Sequence, residues 1–150
     1  MSVQVGQVAP DFSLTNQAGE TVALSSFRGQ KAVVLYFYPK DDTPGCTVES
    51  CSFRDSYEDF QRIGAEVIGI SSDSPGSHQQ FASKYRLPFT LVSDVDGSVR
   101  RAYGVPSTLG LLPGRVTYVI DQEGIVRHVF NSQFNPKAHV AEAKKVAQSL

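Results

Sequence analysis

The chain has 150 residues, a length that suits one domain spanning 1–150 with a core of its own. Apolar residues make up 41% of it and charged residues 19%, as in ordinary globular proteins. Fourteen basic residues stand against fifteen acidic ones, so neither nucleic acid nor an anionic membrane is expected as an electrostatic partner.

The longest apolar run, residues 32–38, is too short to cross a bilayer. The first residues carry neither a basic nor an apolar region of the secretory kind, so a cytoplasmic protein is expected. An organellar location would require a leader removed upstream of Met1. Two cysteines, Cys46 and Cys51, are too few and too close for a secreted disulfide scaffold. Redox chemistry, a metal site and two inert core thiols remain as readings of the pair.

The elements follow in order. Short apolar pieces at Asp11–Leu14 and Thr21–Leu24 flank a turn with Gly19 and predict a β-hairpin. Lys31–Tyr38 is a continuous apolar, β-branched and aromatic run, the pattern of a strand buried on both faces. After the loop Pro39–Pro44 a helix begins, with Thr43 as N-cap and Pro44 as its first residue. Val48, Cys51, Phe53, Tyr57 and Phe60 make its apolar face; Glu49, Arg54, Glu58 and Arg62 are expected toward water, and Gly64 ends it. Glu66–Ile70 is a strand, and Ser74-Pro75 opens a helix to about Tyr85. A strand at Phe89–Ser93 and a short helix at Gly97–Tyr103 follow. Arg115–Ile120 and Ile125–Phe130 form a closing hairpin. Asn135-Pro136 starts the last helix, with Val140, Ala143, Ala147 and Leu150 on one side.

This order predicts an α/β fold with parallel strands joined by crossover helices, plus antiparallel strands from the closing hairpin. A mixed central sheet flanked by helices, preceded by an N-terminal β-hairpin, is the thioredoxin-like arrangement.

Ligands in such sheets collect where strands end and helices begin. With Thr43 as N-cap, Cys46 occupies the third helical position, beside unpaired backbone N–H groups and the positive end of the helix dipole. Both stabilise a thiolate and make a cysteine there more acidic than a free thiol. A thiolate attacks the O–O bond of a peroxide. The Thr43 hydroxyl can cap the helix or donate to the thiolate and a peroxide oxygen. Gly45 removes a side chain where substrate approaches, and Pro39 can shield the sulfur from water. Five residues along a helix separate the two cysteine Cα atoms by about 8–9 Å. A disulfide needs less than about 7 Å, so the helix start has to unwind before Cys46 and Cys51 can join.

The spacing Pro39-x-x-x-Thr43-x-x-Cys46 resembles the peroxiredoxin active-site signature. Cys46 followed by Cys51 is similar to the peroxiredoxin Q, or bacterioferritin comigratory protein, subfamily. The stretches Ala9–Phe12, Tyr103–Pro106 and Gly114–Asp121 share the likeness, which extends over nearly the whole chain. The resemblance implies a thiol peroxidase acting on hydrogen peroxide or organic hydroperoxides without a cofactor. It implies that Cys46 is peroxidatic and that Cys51 resolves it by a disulfide. Thioredoxin or a related dithiol is the implied reductant, and a monomer the implied state. Arg115 matches the family's active-site arginine and Thr43 its hydroxyl donor.

Blander readings stand beside these. Arg115 also fits a strand-end salt bridge, Thr43 a simple cap, and Cys51 a core thiol. Structural zinc needs four ligands, and His78, His128 and His139 are scattered, read as exposed or satisfied. Asp41-Asp42 reads as a solvated loop face. Leu109–Pro113 reads either as an apolar collar for alkyl hydroperoxides or as a core-packing loop. A redox-sensing binding module or holdase needs only the cysteine pair, whereas Pro39, Thr43, Cys46 and Arg115 together favour an enzyme. A disulfide oxidoreductase is the weakest reading, since the helix start has no Cys-x-x-Cys.

Overall fold

The computed structural model describes residues 3–108, 112–132 and 135–150. Strands β1 (Ser13–Thr15) and β2 (Thr21–Ala23) form the expected N-terminal hairpin, with Ser13 opposite Ala23. Its turn is held by the Asn16 side-chain oxygen, which accepts from the backbone N–H of Ala18 and Glu20. Leu24, expected in the second strand, instead opens a short 3-10 helix, Leu24–Phe27.

Strand β3 (Ala32–Phe37) leads through a loop to α1 (Pro44–Arg62), followed by β4 (Ala65–Ser71) and α2 (Pro75–Tyr85). Then come β5 (Thr90–Ser93), α3 (Ser98–Tyr103), and the small pair β6 (Ser107–Thr108) and β7 (Leu112–Pro113). The chain closes with β8 (Val116–Ile120), β9 (Val126–Asn131) and α4 (Pro136–Gln148). The central sheet has the order β5-β4-β3-β8-β9. The β5-β4-β3 part is parallel, and β8 runs antiparallel to both β3 and β9. This is the mixed α/β sheet that the element order implied.

The unbroken apolar run of β3 follows from burial on both sides. Val34, Tyr36 and Tyr38 point to a core shared with Phe53 and Phe60 of α1, Phe81 of α2 and Val140 of α4. Val33, Leu35 and Phe37 point to a second core with Phe12, Val99 and Tyr103. Successive side chains of a strand alternate in direction, so each core takes every second residue.

Gly69 in β4 packs closely against the first of these cores. A Cβ there would sit 2.7 Å from Leu91 Cδ2 and 2.8 Å from Tyr36 Cζ. Gly69→Ala is expected to destabilise the fold by about 1–3 kcal/mol, the usual effect of overpacking. Urea unfolding reads this directly; an unchanged midpoint would show that the Tyr36 ring gives way freely.

Helix α1 departs from its expected faces. Glu49, placed toward water by its charge, is fully buried, and Val48, placed on the apolar face, is exposed. Leu150, expected on the packed side of the last helix, lies beyond the end of α4 and is also exposed. Glu49 lies inside because a partner arrives there from across the sheet.

Candidate active site

Strand β3 ends beside the beginning of β8, since Phe37 pairs antiparallel with Val116. Arg115, the residue before β8, is therefore delivered to the mouth of the loop that starts α1. Its guanidinium donates from Nη2 to Cys46 Sγ at 3.3 Å and from Nη1 to Glu49 Oε1 at 2.6 Å. Cys46 and Glu49 are fully buried and Arg115 nearly so. The two acceptors are three residues apart on one helix and thus share a face.

Gly45 makes the approach feasible. A Cβ at that position would lie 3.0 Å from Arg115 Nη2. The expected open space for substrate is therefore, in part, space for the arginine. Burial opposes the positive charge of Arg115, but neighbouring Glu49 and Cys46 outweigh it and raise its pKa further.

Behind this contact lies a second buried layer. Glu49 Oε2 is 3.6 Å from His139 Nδ1, which also lies 2.8 Å from Thr117 Oγ1. His139 Nε2 is 2.7 Å from the Ser132 carbonyl. Burial pushes the Glu49 carboxyl up to about 8, with Arg115 pulling the other way. His139 is pulled down to about 4, by burial first, against the Ser132 hydrogen bond and with help from the Arg115 charge.

Thr43 is at the N-cap position, with extended backbone, but its side chain makes no cap hydrogen bond. Its hydroxyl donates instead to the Lys40 carbonyl at 2.9 Å, closing the loop on itself. The expected cap is corrected accordingly. Pro39 follows β3 and is half-buried. Cys51 is half-buried, and neither cysteine is in a disulfide. Both lie within the continuous helix α1.

The expectation of a solvated face at Asp41-Asp42 fails for Asp41, which is buried. It accepts from Tyr38 Oη at 2.5 Å and Ser77 Oγ at 2.9 Å, and lies 2.7 Å from His78 Nδ1. This ties the loop before α1 to α2. Asp42 is exposed and pairs with Lys84 and Tyr85. His78 and His139 are both buried and hydrogen-bonded, while half-buried His128 lies 3.4 Å from Glu142. Asp41, Asp73 and His78 bring potential ligand atoms within 4.8 Å of one another. Those atoms already serve the loop's hydrogen bonds: Asp73 accepts from the Asp41 backbone and from Ser71. Of the Leu109–Pro113 segment, residues 109–111 lie outside the described residues.

The model of the AhpC/TSA family matches residues 5–129. A wheat protein, "Peroxiredoxin Q, chloroplastic" from Triticum aestivum, is 57% identical over 149 residues, covering 99% of this chain and 68% of its own. The chain belongs to the peroxiredoxins, in the peroxiredoxin Q subfamily. The peroxiredoxin Q of Populus jackii is 56% identical, with 99% of this chain and 70% of its own covered. Among solved peroxiredoxin structures, the peroxidoxin BcpB of Mycobacterium tuberculosis superposes with a TM-score of 0.91 at 36% identity, covering 99% of this chain and 98% of that one. The bacterioferritin comigratory protein of Xanthomonas campestris gives 0.82 at 30% identity, covering 95% and 96%. The fold is thus the thioredoxin-like fold of peroxiredoxins, and the activity that of a thiol peroxidase, an oxidoreductase using a peroxide and a thiol reductant. The plant relatives are named as chloroplast proteins, which runs against the cytoplasmic expectation.

Sequence reasoning missed Glu49 and His139. The signal for Glu49 was its spacing of three from Cys46, which puts both on one helix face. His139 carried no such signal, because its partners come from β8 and the loop before α4.

Proposed function

We propose that Cys46 is the peroxidatic cysteine, that Cys51 resolves it within the same chain, and that thioredoxin or a related dithiol reduces the product. The observation that carries this reading is the 3.3 Å contact between Arg115 Nη2 and Cys46 Sγ at the start of α1. A guanidinium beside the sulfur favours its anion and can also hold the peroxide. The Cys46 thiolate attacks one oxygen of a hydroperoxide, the O–O bond breaks, and the leaving oxygen takes a proton as water or alcohol. The sulfenic acid left on Cys46 is attacked by the Cys51 sulfur, releasing water and forming the disulfide. A dithiol then supplies two electrons and two protons to restore both thiols.

Thr43 has committed its proton to Lys40, so it meets a hydroperoxide O–H as an acceptor. Pro39, half-buried two residues past the end of β3, is assigned the shielding of the sulfur from water. Organic as well as inorganic hydroperoxides fit this reading, since the Xanthomonas relative is described as having alkyl peroxide reduction activity. Pairing within one helix needs no second subunit, which supports residues 1–150 acting as one domain and as a monomer. Any compartment that supplies reduced dithiols, plastid or cytosol, would sustain turnover.

Resolution requires α1 to open. Within an intact helix the two Cα atoms are about 8–9 Å apart, beyond the ~7 Å reach of a disulfide. Glu49 and Ser50 lie between them and are tied to Arg115 and to Tyr36 Oη, so both ties must break. Oxidation is expected to lower amide hydrogen-exchange protection across residues 44–52 relative to the dithiol form. Equal protection in both forms would sink the unwinding step.

A further inference from the structure

Glu49 Oε2 is buried and has no hydrogen-bond donor among the described residues. His139 Nδ1 lies 3.6 Å from it. His139 Nε2 faces a carbonyl, which only accepts, so the ring hydrogen is on Nε2 and the neutral ring presents a lone pair at Nδ1. That lone pair accepts from the Thr117 hydroxyl at 2.8 Å, so His139 offers Glu49 no hydrogen. A bare carboxylate oxygen without a donor in a dry site is costly. A proton on Oε2 removes that cost.

The charges around the site lead to the same result. Glu49 is faced by Cys46 on its own helix, Tyr36 from β3, Arg115 from the residue before β8, and His139 from α4. Burial keeps the Tyr36 phenol neutral. With Cys46 as a thiolate and Glu49 as a carboxylate, two anions share Arg115, leaving a buried net negative charge. One proton on the Glu49–His139 pair restores neutrality.

We propose that Glu49 and His139 form a positioning pair that holds one proton while Cys46 is a thiolate, leaving the charge of Arg115 to the sulfur and giving the peroxide reaction an alkaline limit. The pair touches no substrate and acts through Arg115. The raised carboxyl and lowered imidazole put the proton on Glu49 near neutral pH. Once it leaves, the Glu49 anion competes with the sulfur for the guanidinium.

This inference rests on Cys46 as the reacting sulfur. The test uses Cys51→Ser as parent, so that only the first chemical step is read, by stopped-flow oxidation with hydrogen peroxide across a pH series. The parent rate constant is expected to fall roughly fivefold above a titration near pH 8, as when a needed acid is lost. Glu49→Gln in this parent, whatever its absolute rate, has no such limb. His139→Gln gives Oε2 an amide donor, stabilises the carboxylate, and moves the limb to lower pH. A merely structural role would scale the whole profile without changing its shape. A reactive parent with no alkaline limb, or an unaltered limb in either folded variant, overturns this inference alone. A parent that consumes no peroxide at any pH overturns the Cys46 assignment and this inference with it. Should Glu49→Gln fail to fold, the His139→Gln shift decides the matter.

Discussion

Cys46→Ser is expected to lose dithiol-coupled peroxide reduction by about a thousandfold or more, because an unactivated hydroxyl cannot replace a thiolate nucleophile. Thioredoxin-coupled NADPH consumption with hydrogen peroxide measures it. Cys51→Ser differs in kind: it reduces one equivalent of peroxide per chain and then stalls as the sulfenic acid, which excess peroxide carries up the oxidation ladder. Mass spectrometry of the stalled protein should find added oxygen on Cys46 and none elsewhere. If Cys46→Ser turned over at the rate of the unmodified chain, the assignment of the site would be wrong. If Cys51→Ser kept full turnover, an external thiol would be resolving Cys46 directly, and the helix opening would have no catalytic purpose.

Arg115→Leu is expected to affect rate and stability together, and the two can be separated. Removing a donor aimed at developing charge lowers the rate about 100- to 1,000-fold. Removing Arg115 also leaves the buried Glu49 carboxyl without its hydrogen-bond partner, which costs about 1–3 kcal/mol. In a chain of this size that lowers Tm by roughly 5 °C. Glu49→Leu added to Arg115→Leu is expected to recover most of the stability, since an apolar pair of similar volume replaces the orphaned carboxyl. It should recover none of the rate, because the sulfur still lacks its cation. Arg115→Lys keeps the charge but not the fork that reaches Cys46 and Glu49 at once, and should fall between the two. Recovery of rate in the double variant would show that Arg115 serves the fold alone.

These expectations place the chemistry at a junction that the linear sequence only half displays. Thr43, Pro44 and Cys46 are local, and their spacing is enough to put a thiol at a helix start. The parallel part of the sheet is legible because β3 is apolar throughout and β4 nearly so, with only Glu66 and Ser71 as exceptions. The hairpin boundary at Leu24 is not, because a single apolar residue does not tell a strand end from a 3-10 turn.

Side-chain direction is less legible. Threonine favours the cap position, yet in the folded loop the hydroxyl of Thr43 reaches the Lys40 carbonyl instead. Two adjacent acids in a loop usually face water, as Asp42 does. Asp41 is buried because Tyr38, Ser77 and His78, distant in part along the chain, converge on it.

Taken by itself, the sequence determined the order of the main elements, the thiol at the start of α1, the second cysteine five residues on, and the subfamily likeness. All of these depend on neighbours along the chain or on one strand's exposure. Tertiary structure alone decided that Glu49 is inside, that Arg115 bridges it to Cys46, and that His139 stands behind both. A charged residue's burial depends on the partner it meets across the sheet, and that partner is set by the antiparallel register of β3 with β8.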